Sequence, residues 1–165
     1  MMVSKERQGE SERLIEIFTD GSSRGNPGPG GYGVILRSGP HTKELSQGFR
    51  RTTNNRMELL AVIAGLEALR IKGSRVLVWS DSRYVVDAVE KGWVFNWNAK
   101  NFTGKKNADL WRHFLRLYAL HKVQFRWIKG HADHPENERC DELATGAASG
   151  KNLPPDKGYE SGLFS

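Results

Sequence analysis

The chain has 165 residues, 38% of them hydrophobic, and a net charge of +6; these values suit one folded domain and exclude wholesale disorder. No apolar run approaches the ~20 residues needed to cross a bilayer, and the polar start MMVSKERQGESER lacks the apolar stretch of a secretory signal, so the cytoplasm is the expected location. The single cysteine, Cys140, excludes an intrachain disulfide and a Cys-based zinc cluster.

Charge is concentrated in residues 13–150, which carry +7 against −1 in 1–12 and 0 in 151–165. Such an excess favours a polyanionic partner without specifying one. Residues 1–12 and 151–165 are expected to be flexible extensions of a domain spanning 13–150. LIEIFTD (14–20) alternates Ile15, Ile17 and Thr19 with Glu16, Phe18 and Asp20, which predicts a strand covered on both faces near its end. GSSRGNPGPGGYG (21–33) is too rich in Gly and Pro to predict regular structure. GYGVILRS (31–38) and TKELSQGF (42–49) read as strands turned at Gly39-Pro40, giving an antiparallel meander.

NNRMELLAVIAGLEALRIKG (54–73) predicts a helix with Met57, Leu60, Ala61, Ala64 and Ala68 on one face, ended by Gly73. RVLVWSD (75–81) reads as a buried strand. Helices are predicted over 82–92 and 108–121, a fifth strand over 122–130, and a last helix over 135–150 opened by Pro135. This order predicts an α/β fold: a mixed five-stranded sheet, antiparallel meander plus parallel strands, with helices on both faces.

Four acids stand out. Asp20 and Asp81 each end an apolar strand, where ligands bind in open α/β sheets. Glu58 lies one turn into a mainly apolar helix, and Asp141 follows Cys140 in the last helix. Singly, they read as a turn residue, a helix cap and two surface acids. If they converge, a cation is required: two like charges ~4 Å apart repel by about 4 kcal/mol at an effective dielectric of ~20. Oxygen-only donors favour hard ions such as Mg²⁺ or Mn²⁺.

FTDGSSRGNPGPGGYGVILR (18–37), RTTNNRMELLAVIAGLEAL (51–69), SDSRYV (80–85) and KGHADHPENERCDELA (129–144) together resemble bacterial type 1 ribonuclease H, in order across roughly 13–150. The resemblance implies an endonuclease that cuts the RNA strand of an RNA–DNA hybrid with little sequence dependence. It also implies two Mg²⁺ ions in the substrate complex, with Mn²⁺ as a substitute, and products ending in 5′-phosphate and 3′-hydroxyl. The family's acidic ligands fall on Asp20 in FTDGS, Glu58 in NRMEL, Asp81 in SDS and Asp141 in ERCDELA, and its mobile histidine on His131. His134 reads as structural. A monomer without an obligatory protein partner is the family expectation.

The same resemblance places Asn26, Asn54, Asn55 and Glu58 near successive riboses, where amides offer both donor and acceptor to a 2′-hydroxyl. Arg51, Thr53 and Asn54 match a pocket for a DNA-strand phosphate. Residues 91–107, KGWVFNWNAKNFTGKKN, hold four lysines and no acid and match a basic protrusion that includes Trp93, Trp97, Lys100, Lys105 and Lys106. The plainer reading is that its aromatics anchor the segment and its lysines are solvated; both are expected in part.

Ser23 and Arg83 depart from relatives that have cysteine and glutamine there. Arg83 would add a phosphate contact or alter ribose recognition. Two other readings compete: a hybrid-binding module without catalysis, disfavoured by the presence of all four acids, and a transposase or integrase domain, which fits TTNNRME and the Trp-Lys region less well.

Overall fold

The computed structural model describes residues 13–129 and 134–162. β1 (Leu14–Ser23), β2 (Gly28–Ser38) and β3 (His41–Thr52) form the expected antiparallel meander. β4 (Arg75–Ser80) pairs parallel with β1 on one side and with β5 (Lys122–Trp127) on the other. The five strands lie in the order β3-β2-β1-β4-β5. α1 (Asn54–Glu67) crosses one face and α5 (Pro135–Ala148) the other. α2 (Arg83–Glu90), α3 (Trp93–Ala99) and α4 (Ala108–Tyr118) connect β4 to β5, and a short α6 (Lys157–Glu160) follows α5.

One core joins α1, α2 and α4 to the sheet through Ile17, Val34, Leu59, Val78, Val85, Trp111 and Phe114. The opposite face is a smaller cluster of Phe18, Ile35 and Cys140. Burial pushes the Cys140 thiol up to about 12, so this cysteine behaves as a packing residue.

Five expectations are corrected. Regular structure enters the Gly-Pro-rich segment from both sides, leaving only residues 24–27 between β1 and β2. Glycine serves close packing there: a Cβ on Gly31 would come within 2.6 Å of the Ala144 carbonyl oxygen, and one on Gly33 would run into the Cys140 carbonyl. A strand without side chains at these points lets α5 lie directly on the sheet.

α1 ends at Glu67 with Ala68 as its C-cap, not at Gly73. It buries Leu59, Val62, Ile63 and Leu66 as well as Met57 and Ala61, because it is packed between the sheet and α4, so a single-face pattern understates its burial. The helix predicted over 108–121 stops at Tyr118, and the strand predicted over 122–130 stops at Trp127. Finally, residues 151–162 of the expected C-terminal extension pack back on the domain: Arg50 N–H donates to the Pro154 carbonyl at 2.9 Å, and Asp156 is buried.

Candidate active site

The parallel register of β1 and β4 pairs Phe18 with Trp79. Two residues on, Asp81 leaves β4, whereas Asp20 does not end its strand as expected: it lies inside β1, which continues to Ser23 paired with β2, just past the end of the β1–β4 pairing. Glu58 comes from the opening turns of α1, which is fixed by Thr53: its side chain accepts from Arg56 N–H at 3.3 Å, an ordinary N-cap.

Gly21 sets how closely strand and helix approach. A Cβ there would collide with the backbone of Met57 and Glu58. Its bare N–H instead donates to Glu58 Oε1, and to Asp20 Oδ1 at 3.0 Å. The glycine of the Asp-Gly pair is therefore a site-building residue that periodicity does not reveal; its position directly after a candidate ligand is the only sequence signal.

Carboxylate oxygens of Asp20, Glu58 and Asp81 lie within 4.8 Å of one another. Asp20 is 5% and Glu58 8% exposed. Burial, and then the charge of Asp81, push the Asp20 carboxyl up to about 7. Glu58 is likewise raised well above the ordinary carboxylate range, by burial first and then by Asp20 and Asp81. Asp141, half-buried on α5, faces Asp20 closely enough to raise it further. All four acids thus reach one end of the sheet, with the first three forming the tight cluster. Oxygen donors in a cluster that resists full ionisation suit a hard divalent cation.

Asn26 and Asn54 lock the β1–β2 turn to the start of α1. Asn54 Oδ1 accepts from Ser23 N–H at 2.7 Å and from the Ser23 hydroxyl at 3.0 Å, and Asn26 Oδ1 accepts from Asn54 N–H at 3.1 Å. Neither amide NH₂ group is used in these bonds. Asn55 and Arg51 are exposed beside them. On the other side of Asp81, the Arg83 guanidinium lies 3.7 Å from the Trp127 ring centre, and the Trp127 indole N–H donates to the Asp81 carbonyl at 3.3 Å. His134 sits beside Trp79, with ring centres 6.2 Å apart. His131 lies outside the described residues.

Residues 91–107 are largely ordered by their own aromatics. Trp97 meets Trp111 edge-on at 5.9 Å, and Val94 and Phe102 are buried. Trp93 and Phe95 remain exposed. Lys105 lies over Trp97 and Lys91 over Trp93, at 5.1 and 5.2 Å from the ring centres; Lys100 and Lys106 are exposed.

One functional-site neighbour escapes the sequence reading. Arg56, on α1 close to Glu58, is 1% exposed. Its guanidinium is paired with Asp109 at 2.7 Å and Asp156 at 2.7 Å. The arginine in TTNNRME is legible as a motif member, but its partners lie 53 and 100 residues away, beyond the reach of local pattern.

A family model for RNase H matches residues 12–149. The ribonuclease H of Desulforamulus reducens is 54% identical over 154 residues, covering 90% of this chain and 96% of that protein. That of Rippkaea orientalis is 51% identical over 157 residues, covering 92% and 96%. Among solved structures, LC9-RNase H1, a type 1 RNase H with the type 2 active-site motif, superposes with a TM-score of 0.76 at 31% identity, covering 92% of this chain and 82% of that one. LC11-RNase H1 in complex with RNA/DNA hybrid superposes with a TM-score of 0.59 at 28% identity, covering 81% and 96%. With the family model spanning most of its length and relatives at this identity, the chain belongs to the ribonuclease H family.

Proposed function

We propose that the protein is a metal-dependent endonuclease that hydrolyses the RNA strand of RNA–DNA hybrids, leaving 5′-phosphate and 3′-hydroxyl ends. The observation that carries this reading is the convergence of Asp20, Glu58 and Asp81 within 4.8 Å, in a chain of the ribonuclease H family. Asp20, Glu58, Asp81 and Asp141 would hold two Mg²⁺ ions, or Mn²⁺ in their place. Bound divalent ions supply charge neutralisation, activation of a water and stabilisation of the leaving oxygen.

The protein's own contribution is to place and polarise. Gly21 N–H fixes the carboxylates of Asp20 and Glu58, so the cluster is ready before substrate arrives. The NH₂ groups of Asn26 and Asn54, together with Asn55, are available to 2′-hydroxyls, which distinguish RNA from DNA. Arg51, the Thr53 and Asn54 region, and Lys100, Lys105 and Lys106 attract phosphates without reading bases. His131 assists proton transfer or product release. The working unit is a monomer centred on residues 13–150.

A labelled RNA–DNA hybrid incubated with the protein and Mg²⁺ or Mn²⁺ tests this directly. Cleavage of the RNA strand alone is expected, with chelator abolishing it. Equal cutting of single-stranded RNA or of duplex DNA would overturn the assigned specificity.

A further inference from the structure

Asp20 and Glu58 are tied to one another through the Gly21 N–H. Asp81 arrives from a different strand and lies one residue past the end of β4. The position of its carboxylate relative to the other two therefore depends on how the link from β4 to α2 is held. Ile128 N–H donates to the Ser80 carbonyl at 2.9 Å, and Ser82 N–H to the Ser80 hydroxyl at 3.0 Å. Ser82 in turn caps α2, its hydroxyl accepting from Val85 N–H at 3.3 Å. Between these two serines, the Asp81 carbonyl accepts from the Trp127 indole N–H at 3.3 Å.

Trp127 is the last residue of β5, in register with Ser80. It is not a core residue, being 37% exposed. Its ring is covered instead by Arg83, the first residue of α2. The guanidinium lies 3.7 Å from the ring centre, against 5.1 to 5.3 Å in the other cation–ring pairs among the described residues. A planar, weakly hydrated guanidinium stacks on an indole in this way where an ammonium does not. The ion pair of Arg83 with Asp87 is long, at 3.9 Å, and leaves the side chain 61% exposed.

We infer that Trp127 and Arg83 are positioning residues for Asp81: Arg83 holds the indole plane, and the indole N–H holds the Asp81 peptide, so that the carboxylate is aimed at Asp20 and Glu58 before a cation arrives. The inference rests on the reading of Asp81 as a metal-holding carboxylate given above. The three residues form a short closed circuit. Arg83 follows Asp81 by two positions, and Trp127 joins the two from the neighbouring strand. Groups that orient a ligand without touching the metal commonly carry tenfold or more of its affinity. A tryptophan serving only to cover a strand end would be replaceable by phenylalanine, so the indole N–H is the atom on which the inference turns.

Trp127→Phe keeps a ring for Arg83 and removes that N–H. Titration calorimetry with Mn²⁺ alone, in the absence of nucleic acid, is expected to show about tenfold weaker binding than in the unaltered protein. On hybrid at limiting Mn²⁺, kcat is expected to fall by about the same factor, to recover when Mn²⁺ is raised, and to leave KM unchanged. The unfolding midpoint without metal is expected to stay where it was. Arg83→Lys keeps the charge and loses the planar stack. It is expected to weaken Mn²⁺ binding about threefold in the unaltered background and not at all when added to Trp127→Phe, because Arg83 acts through the indole N–H.

Unchanged Mn²⁺ affinity in Trp127→Phe would overturn the proposal. So would an Arg83→Lys effect of equal size in both backgrounds. An Arg83→Lys variant with raised KM, a flatter salt dependence and unaltered Mn²⁺ affinity would make Arg83 a phosphate contact and overturn its positioning role. Should Trp127→Phe also unfold more easily, the exposed Arg83 decides: unaltered Mn²⁺ affinity in Arg83→Lys then overturns the proposal. Failure of the unaltered protein to bind Mn²⁺ at all would instead remove the metal reading of the acids, and this inference with it.

Discussion

Arg56 and Glu58 are both buried near the start of α1, yet their surroundings obey opposite rules. Arg56 is saturated: Nε and Nη2 donate to Asp156 at 2.7 and 3.0 Å, Nη1 and Nη2 donate to Asp109 at 2.9 and 2.7 Å, and Nη1 also reaches Asn107 at 3.3 Å. Asp156 in turn accepts from the Thr52 hydroxyl at 2.6 Å. Burial pulls the Arg56 guanidinium down, and its two carboxylate partners more than restore it, so it stays charged. Glu58 instead faces two more acids and is pushed toward its neutral form. A buried charge with every donor matched is a structural joint. Buried like charges held together by a glycine N–H form a site waiting for a cation.

The largest expected effect breaks the acidic half. Asp20→Asn removes a proposed ligand and should lower turnover on hybrid by about 10³-fold or more, a loss of several kcal/mol of metal-assisted stabilisation. The fold should survive. Metal-free Asp20→Asn should even melt higher than the unaltered protein at pH 8, because a repelling buried charge is gone. Near-normal cleavage by a folded variant would take Asp20 out of the site.

Breaking the other half gives the reverse pattern. Arg56→Ala leaves Asp109 and Asp156 without their cation, and removing one partner of a buried pair costs about 3–5 kcal/mol. Denaturant titration should show that loss, while any molecules that remain folded keep the acidic cluster and metal-dependent cleavage. A change below ~1 kcal/mol would place Arg56 with the surface pairs.

The pH dependence of the metal-free protein sharpens the contrast. Asp20 titrates at about 7 in the fold, against 3.8 for an ordinary aspartate. Between these values the folded state holds more protons than the unfolded state. Stability from this group is therefore full below pH ~4 and lost as pH rises toward 7. The slope should cost on the order of 1–4 kcal/mol and should flatten in Asp20→Asn. Saturating Mg²⁺ should raise the melting temperature most at the alkaline end, because cation binding replaces the lost protons. Metal-free stability that rises from pH 5 to 8 in parallel in both proteins would contradict the assignment.

Much of this was legible in the sequence because it is local or periodic. The strand stretches leading to Asp20 and Asp81 show as apolar runs, and Ser82 and Pro135 mark helix starts as their residue types predict. Parallel register then brings Asp20 and Asp81 together without further information. What was not legible depends on distant partners. The glycines of β2 look like a loop until α5 lies against them, and Asp156 looks like tail until Arg56 meets it. Ser23 offers no local sign that its N–H and hydroxyl would hold Asn54.

The smallest expected effect concerns the exposed charges of 91–107, which neither repel one another in a buried cluster nor neutralise a buried partner. Trp97 is fixed against Trp111, and Lys105 lies over its ring, so this lysine is partly oriented where Lys106 is simply exposed. Each lysine that neutralises a phosphate contributes ~0.7–0.9 to the slope of log affinity against log salt. Lys105→Ala with Lys106→Ala should therefore raise KM at low salt, flatten its salt dependence by about one to two such contributions, and leave kcat unchanged. The effect should fade at high salt, where screening has already removed the attraction. A salt slope identical to that of the unaltered protein would confine both lysines to solvation and leave the segment with only the packing of Val94, Trp97 and Phe102 against the core.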